Sequence, residues 1–374
     1  MPTATAAVLS ATHEPFVLEE VEVDSPKRGE VLVRIVATGL CHTDLSAREG
    51  LIPFPLPGVL GHEGAGVVEE VGDGVDDLAV GDHVVLSFAF CGGCRTCRTG
   101  HPVYCESWAG LNLFGGARAD GTPTLHRNGE PLHGHFFGQS SLATLALAPA
   151  SSVIKVPREA PLEILGPLAC GVQTGAQAVL NVLRPQAGQT LAVFGAGGVG
   201  LSAVIAAVHL TGATVAVVDV NPARLELATR LGATHVINGR EQDAVAALQE
   251  ITGGRGVDRT LEATGVVSVL KQAIDVVAPL GVCGIVGAPA PDADVSMNVL
   301  TAIVKGSSVV GINQGDSVPR ETIPALVELH RQGRFPFDEL IQVYPFEDIQ
   351  QAADDAAAGK VVKPVLRMPE ATSK

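Results

Sequence analysis

The sequence predicts an α/β protein with two kinds of domain: a β-rich part that opens and closes the chain, and a doubly wound parallel sheet between them. Three observations predict it. The first third carries short apolar runs bounded by Gly, Pro and Asp, at Val31–Val36, Gly66–Val71 and Asp82–Leu86. From about Gly171, continuous apolar runs alternate with helical stretches, as strands buried on both faces of a parallel sheet do. Between the first such strand and helix lies a glycine-punctuated turn, Gly195–Gly200, where doubly wound folds hold a ligand.

A chain of 374 residues has room for two to three domains, and 46% hydrophobic residues supply their cores. A net charge of -15 gives no electrostatic support for a nucleic-acid partner. The N-terminus lacks the basic region and apolar core of a secretory signal. Leu191–Val218 carries no Asp, Glu, Lys or Arg, so length and neutrality alone suggest a membrane span. Gly195, Gly197, Gly198, Gly200 and Gly212 interrupt it, however, and it divides better into strand, turn, helix, turn and strand. The expectation is a soluble, cytoplasmic protein.

In chain order, the β-rich part runs over 1–171. Three prolines at 53, 55 and 57 make a rigid connector that is neither helix nor central strand. The Gly-rich excursion 91–105 follows, and then a loop-like stretch from Gly110 to Gly138 with turn signals at Gly115-Gly116, Asp120-Gly121 and Asn128-Gly129. Residues 133–148 return to an apolar, strand-like texture. Over 172–312, Leu191–Phe194, Val215–Val218, His235–Ile237 and Gly281–Val286 read as strands. Asn221-Pro222 starts a helix that Gly232 stops. Over 313–374 the texture is mixed again, a return to the first domain.

The stretch Gly39–Gly66 holds a thiol, Cys41, and an imidazole, His62, with Glu63 directly after it and Thr43 and Asp44 close to the thiol. A catalytic zinc needs three protein ligands and one open position, and Cys170 is the best candidate for the third. Spacing leaves two readings open: a metal triad, or three unrelated packing residues. Phe88, Phe90, Trp108 and Phe114 lie near this part of the sequence and could line an apolar pocket, although core packing is the commoner role for each.

Two further motifs are more specific. Cys91, Cys94, Cys97 and Cys105, spaced C-x2-C-x2-C-x7-C, fit a closed tetrahedral zinc site, with an iron–sulfur cluster or a redox pair as alternatives. Such a zinc can contribute on the order of 10 kcal/mol of apparent binding free energy. The seventh cysteine, Cys283, reads as a buried small hydrophobe. In Gly195-Ala-Gly197-Gly198-Val199-Gly200 the glycines serve the tight turn, the approach to a pyrophosphate and the helix–strand packing. Asp219, nineteen positions beyond Gly200, is placed for adenosine ribose hydroxyls and would repel a 2′-phosphate, which favours NAD over NADP.

Taken in order, GLCHTDL, GHEGAGVV, the four-cysteine loop, CGVQTG and VFGAGGVG resemble the zinc-dependent medium-chain alcohol dehydrogenases across essentially the whole chain. Within that family, SAREGLIPFPLPGVLGHEGAGVVEEVG and HGHFFGQSSLATLAL look most like the aryl-alcohol (benzyl-alcohol) dehydrogenases. The resemblance implies a GroES-like catalytic domain with a zinc lobe at about 91–105, and a Rossmann domain for NAD. It implies a catalytic zinc on Cys41, His62 and Cys170 and a structural zinc on Cys91, Cys94, Cys97 and Cys105, two per chain. Asp44 would orient His62, Glu63 would lie behind the metal, and Thr43 would bond the substrate oxygen. Thr174 matches a residue near the nicotinamide, Arg224 one near the adenosine ribose, and Lys363 a cation near the pyrophosphate. Two positions depart from many relatives: Ser46 stands where a relay histidine ends the proton path, and His42 where an arginine binds phosphate. The implied reaction is reversible NAD-linked oxidation of a primary aryl or allylic alcohol, such as benzyl alcohol, to its aldehyde, with a terpenoid alcohol such as geraniol or a general alcohol range as the alternative within the family, by a homo-oligomer, dimer or tetramer. The rival classes are a zinc-free NADPH-dependent quinone or enone reductase and a non-catalytic, zinc-stabilised NAD-binding protein.

Overall fold

The computed structural model describes residues 1–370. They fall into two units, one of Met1–Cys170, Val318–Glu328 and the chain from Ile341 on, the other of Gly171–Ser317 and Leu329–Leu340. The sequence reading runs 313–374 as one return, whereas residues 329–340 pack with the second unit.

Alternating and continuous apolar runs build two sheets in the first unit. One has five strands in the order Gly58–Val59, Thr3–Leu9, Val17–Val23, Leu125–Arg127 and Glu130–Leu132, all paired antiparallel. Its terminal hairpin turns through Asn128 and Gly129 with φ of 54° and 78°, the left-handed pair a two-residue turn requires. The other sheet has the order Val153–Lys155, His83–Leu86, Gly64–Val71, Glu30–Gly39, Lys363–Arg367 and Ile341–Pro345, and Leu145–Pro149 also pairs with Glu30–Gly39. Glu30–Gly39 is buried almost throughout because it has partners along both edges and core on both faces. It ends just before Cys41.

The strand-like reading of 133–148 holds only for Leu145–Pro149. Before it, His135, Phe137 and Ser140 adopt φ of 65°, 52° and 52°, which no strand permits. Their side chains are buried, so tertiary contact overrides the apolar texture. Of the four aromatics near the cysteine-rich loop, Phe88 is core, Phe90 and Trp108 pack half-buried against it, and Phe114 is exposed.

The second unit holds a six-stranded sheet, entirely parallel, in the order His235–Asn238, Thr214–Asp219, Thr190–Phe194, Val257–Glu262, Val277–Ile285 and Ser308–Gly311. Numbered along the chain this is 3-2-1-4-5-6, the Rossmann order, whose switch point lies beside the first strand. Thr190–Phe194 is buried at every residue, as a central parallel strand must be. The neutral stretch 191–218 resolves into this strand, the helix Gly198–Leu210 and the strand Thr214–Asp219. Among the described residues no helix is long and apolar enough to cross a membrane. The helix Pro222–Arg230 starts where Asn221 Oδ1 accepts the Ala223 amide, with proline at its first position. The helix Val299–Lys305, which meets the strand Val277–Ile285, buries none of its residues, and Val299, Leu300, Ile303 and Val304 are 66 to 77% exposed.

Candidate active site

Cys41 caps the helix His42–Arg48, and the third helical residue, Asp44, organises what surrounds it. One Asp44 oxygen accepts the Cys41 amide at 2.9 Å. The other accepts the Gly61 amide at 3.0 Å and lies 3.1 Å from His62 Nδ1. A fully buried carboxylate thus holds the thiol's backbone and the imidazole at once, and fixes which ring nitrogen faces away from it. That nitrogen, His62 Nε2, is buried with no hydrogen-bond partner.

Cys170 arrives between the 3-10 turn Gly166–Ala169 and the helix Gly171–Gln177, and Ser87 Oγ donates to the Ala169 carbonyl at 3.0 Å to pin the approach. One donor atom from each of Cys41, His62, Glu63 and Cys170 lies within 4.8 Å of all the others. Cys170 is buried and Cys41 half-buried. A hydrogen bond from Cys170 holds Cys41 well below the usual thiol range, and the same bond, with burial, drives Cys170 well above it. A cation would hold both as thiolates, and with the unpartnered imidazole nitrogen they would make a three-ligand zinc set. The residues therefore fit the metal.

Glu63 occupies space that two glycines leave open. A Cβ on Gly39 would lie 1.9 Å from Glu63 Oε2, and one on Gly166 would lie 2.2 Å from the Glu63 carbonyl oxygen. Lys363, read from the sequence as a pyrophosphate cation, is buried with its ammonium 2.8 and 3.0 Å from the two Glu63 oxygens. Burial raises the Glu63 pKa against the pull of Lys363. For Lys363 burial acts downward, but the charges of Cys41 and Glu63 outweigh it and raise the pKa. Burial likewise acts downward on His62, and Asp44 outweighs it. Thr43 Oγ1 is 3.7 Å from Cys41 Sγ. Ser46 is half-buried one turn further along the same helix, and His42 is exposed at its start.

Gln139 has no counterpart in the sequence reading, yet it carries this site. Its Nε2 lies 3.1 Å from the carbonyls of His62, Leu86 and Ser87, and its Oε1 accepts the Gly64 amide at 3.1 Å. A lone glutamine in a loop leaves no signal by spacing.

The four-cysteine loop closes on itself. Cys91 accepts the Cys94 amide at 3.4 Å, Cys105 accepts the Cys91 amide at 3.3 Å, and the four sulfurs lie within 4.8 Å of one another. Thr96 and nearby amides lower Cys94 to about 5, whereas burial pushes Cys97 up to about 12. Four sulfurs so placed suit a closed structural site.

In the second unit, Gly197 caps the helix Gly198–Leu210, and a Cβ there would meet nothing within 4 Å, so the turn is open on the side a pyrophosphate would approach. Val199 is half-buried in the first turn of that helix. Gly195 has φ of 98°, and a Cβ on Gly200 would lie 1.8 Å from the Gly195 carbonyl oxygen. Gly200→Ala is expected to cost about 1–3 kcal/mol through overpacking, read as a lower denaturation midpoint; an unchanged midpoint would refute the packing role. Asp219 ends its strand with one oxygen accepting the Ala196 amide at 2.6 Å and the other those of Val220 and Asn221 at 2.7 and 2.8 Å. It therefore clamps the glycine turn. Arg224, on the next helix, has Nε buried without a partner, and Thr174 Oγ1 donates to Gln314 Oε1 at 3.2 Å. These groups fit a dinucleotide.

Comparison with known proteins extends this geometry. The alcohol dehydrogenase GroES-like domain family matches residues 27–158, and the zinc-binding dehydrogenase family matches residues 198–331. A geraniol dehydrogenase of Castellaniella defragrans is 46% identical over 365 residues, 97% of each chain. The crystal structure of benzyl alcohol dehydrogenase from Acinetobacter calcoaceticus superposes with a TM-score of 0.95 at 44% identity, covering 99% of this chain and 100% of that one. An alcohol dehydrogenase zinc-binding domain protein of Burkholderia ambifaria gives 0.96 at 54% identity, with 99% and 100% covered. Similarity of this degree along nearly the whole chain settles the family: the protein is a member of the zinc-dependent medium-chain alcohol dehydrogenases.

Proposed function

We propose that this alcohol dehydrogenase oxidises aromatic and allylic primary alcohols to aldehydes with NAD, reversibly, using a catalytic zinc on Cys41, His62 and Cys170 and a structural zinc on Cys91, Cys94, Cys97 and Cys105. The observation that carries the chemistry is the buried, unpartnered His62 Nε2 converging with two thiols. The substrate class is supported by two relatives named for geraniol and for benzyl alcohol, one allylic and one benzylic.

Bound zinc supplies Lewis acidity toward the alcohol oxygen, and bound NAD the hydride acceptor. The chain's own groups do the rest. Asp44 keeps His62 in one tautomer. Thr43 Oγ1 would accept the hydroxyl proton as it passes its own toward Ser46 and water, since neither hydroxyl is a base near neutral pH. Glu63 and Lys363 set a balanced charge behind the thiols. Gly195, Gly197, Gly198, Val199 and Gly200 hold the pyrophosphate, with Asp219 and Arg224 at the adenosine ribose and Thr174 near the nicotinamide. His42 would take the part of the phosphate-binding arginine that many relatives carry at its position. The exposed apolar face of Val299–Lys305 carries no charge before Lys305, which supports a homo-oligomer in a chain whose net charge of -15 opposes other self-contacts.

Initial rates across benzyl alcohol, geraniol and ethanol, each with NAD and NADP, test the reading. The expected result is kcat/KM at least about tenfold higher for benzyl alcohol or geraniol than for ethanol, which corresponds to about 1.4 kcal/mol of differential transition-state binding. Ethanol preferred, or NADP preferred, would contradict it.

A further inference from the structure

We infer that Phe137 is a positioning residue for the reaction, and that Trp108 is a strut through which the four-cysteine loop holds Phe137 against His62. The inference rests on the assignment of Cys41, His62 and Cys170 as metal ligands.

Two anomalies meet at one contact. Phe137 is a bulky side chain in the left-handed backbone region, at φ 52° and ψ 31°, a conformation that persists only where its surroundings impose it. Its ring lies flat on the His62 imidazole, with centroids 4.4 Å apart and planes at 27°. The second anomaly is Trp108, whose indole Nε1 is buried with no hydrogen-bond partner. Hydrogen bonding gives no reason for that placement, but packing does: Trp108 meets the Phe137 ring at 89°, with centroids 5.6 Å apart. Phe136 meets the same ring at 70° and 5.0 Å.

Trp108 is held from both arms of the loop. Its amide donates to the Cys105 carbonyl at 2.8 Å. Its carbonyl accepts Asn112 Nδ2 at 2.7 Å, and the buried Asn112 amide also bonds the amide and carbonyl of Ala89, two residues before Cys91. The chain of contact therefore runs from the cysteines through Trp108 and Phe137 to the imidazole.

The two restraints on His62 differ in kind. The Asp44 hydrogen bond fixes Nδ1 within the ring plane, and the stacked Phe137 resists tilting of the plane itself. Together they aim Nε2, although neither Phe137 nor Trp108 donates to the metal.

The test exchanges the catalytic metal for Co²⁺ in the holoenzyme and in Phe137→Leu, Trp108→Leu and Trp108→Phe. It reads the thiolate–cobalt absorption and the rate at which a chelator removes the cobalt. Losing a group that orients a metal-bound histidine weakens metal binding by about 10- to 100-fold. Phe137→Leu and Trp108→Leu are therefore expected to release cobalt at least about tenfold faster, with a shifted spectrum. Trp108→Phe, which keeps an aromatic edge, should stay within about twofold of the wild type, well below that range. If Trp108→Leu fails to fold, Phe137→Leu decides alone. A Phe137→Leu enzyme that keeps the wild-type spectrum and release rate while its KM for bulky alcohols changes would overturn the inference and leave Phe137 a pocket wall. A wild-type chain that takes up cobalt only in the four-cysteine loop would remove the ligand assignment itself, and the inference with it. Trp108 is the one tryptophan of the chain, so its fluorescence reports on the strut directly; no change on stripping the loop's metal would also count against the coupling.

Discussion

Cys170→Ala is expected to abolish alcohol-dependent NADH formation while leaving the protein folded with zinc in its four-cysteine loop. Two ligands, Cys41 and His62, do not make a catalytic zinc site. A Lewis acid at the reacting oxygen is worth several kcal/mol, and each 1.36 kcal/mol is tenfold in rate, so the loss should be on the order of 10³-fold or more. Cys170 is buried, but the variant removes only one sulfur from a position flanked by the 3-10 turn and the helix it precedes. Zinc content should fall from two per chain to one. Retained turnover with one zinc would point to another mechanism, or to a non-catalytic role for the triad.

Lys363→Met should give the largest loss of stability. The Lys363–Glu63 pair is buried on both sides, 6% and 0% exposed, and Cys41 and Cys170 add negative character close by. Removing the ammonium leaves Glu63 uncompensated in a dry site, a change that typically costs about 3–5 kcal/mol. Urea or guanidinium midpoints would measure it. The double variant Glu63→Gln with Lys363→Met removes both charges and should recover much of the loss, since a buried pair replaced by neutral groups is often close to neutral. A single variant within about 1 kcal/mol of the wild type, the range of an exposed pair, would refute the assignment of this pair as a structural necessity.

The parts of the fold that sequence makes legible are those where one local rule decides. Leu191–Phe194 reads as a central strand because every residue is apolar, and in the fold every one is buried. Pro222–Arg230 reads as a helix because Asn221 and Pro222 start it and Gly232, at φ 95°, ends it. The segment 133–148 misleads for the opposite reason. Its apolar texture is real, but His135, Phe137 and Ser140 take left-handed φ values set by contacts with distant residues, and no local pattern carries that. The candidate site divides in the same way. The motifs around Cys41 and His62 are visible, whereas their meeting with Cys170, the bond network of Gln139 and the Lys363–Glu63 pair, 300 residues apart in sequence, exist only once the sheet is built. Asp219 shows a middle case: the spacing finds the residue, and the fold adds its second task of clamping the glycine turn.

The proposed chemistry depends on metal binding where three distant side chains converge. Anomalous diffraction at the zinc edge from crystals of the purified protein tests that most directly. Two peaks per chain are predicted, one among Cys91, Cys94, Cys97 and Cys105 and one bonded to Cys41, His62 and Cys170. A single peak in the four-cysteine loop, with nothing beside His62 Nε2 in protein that turns over alcohol, would contradict it.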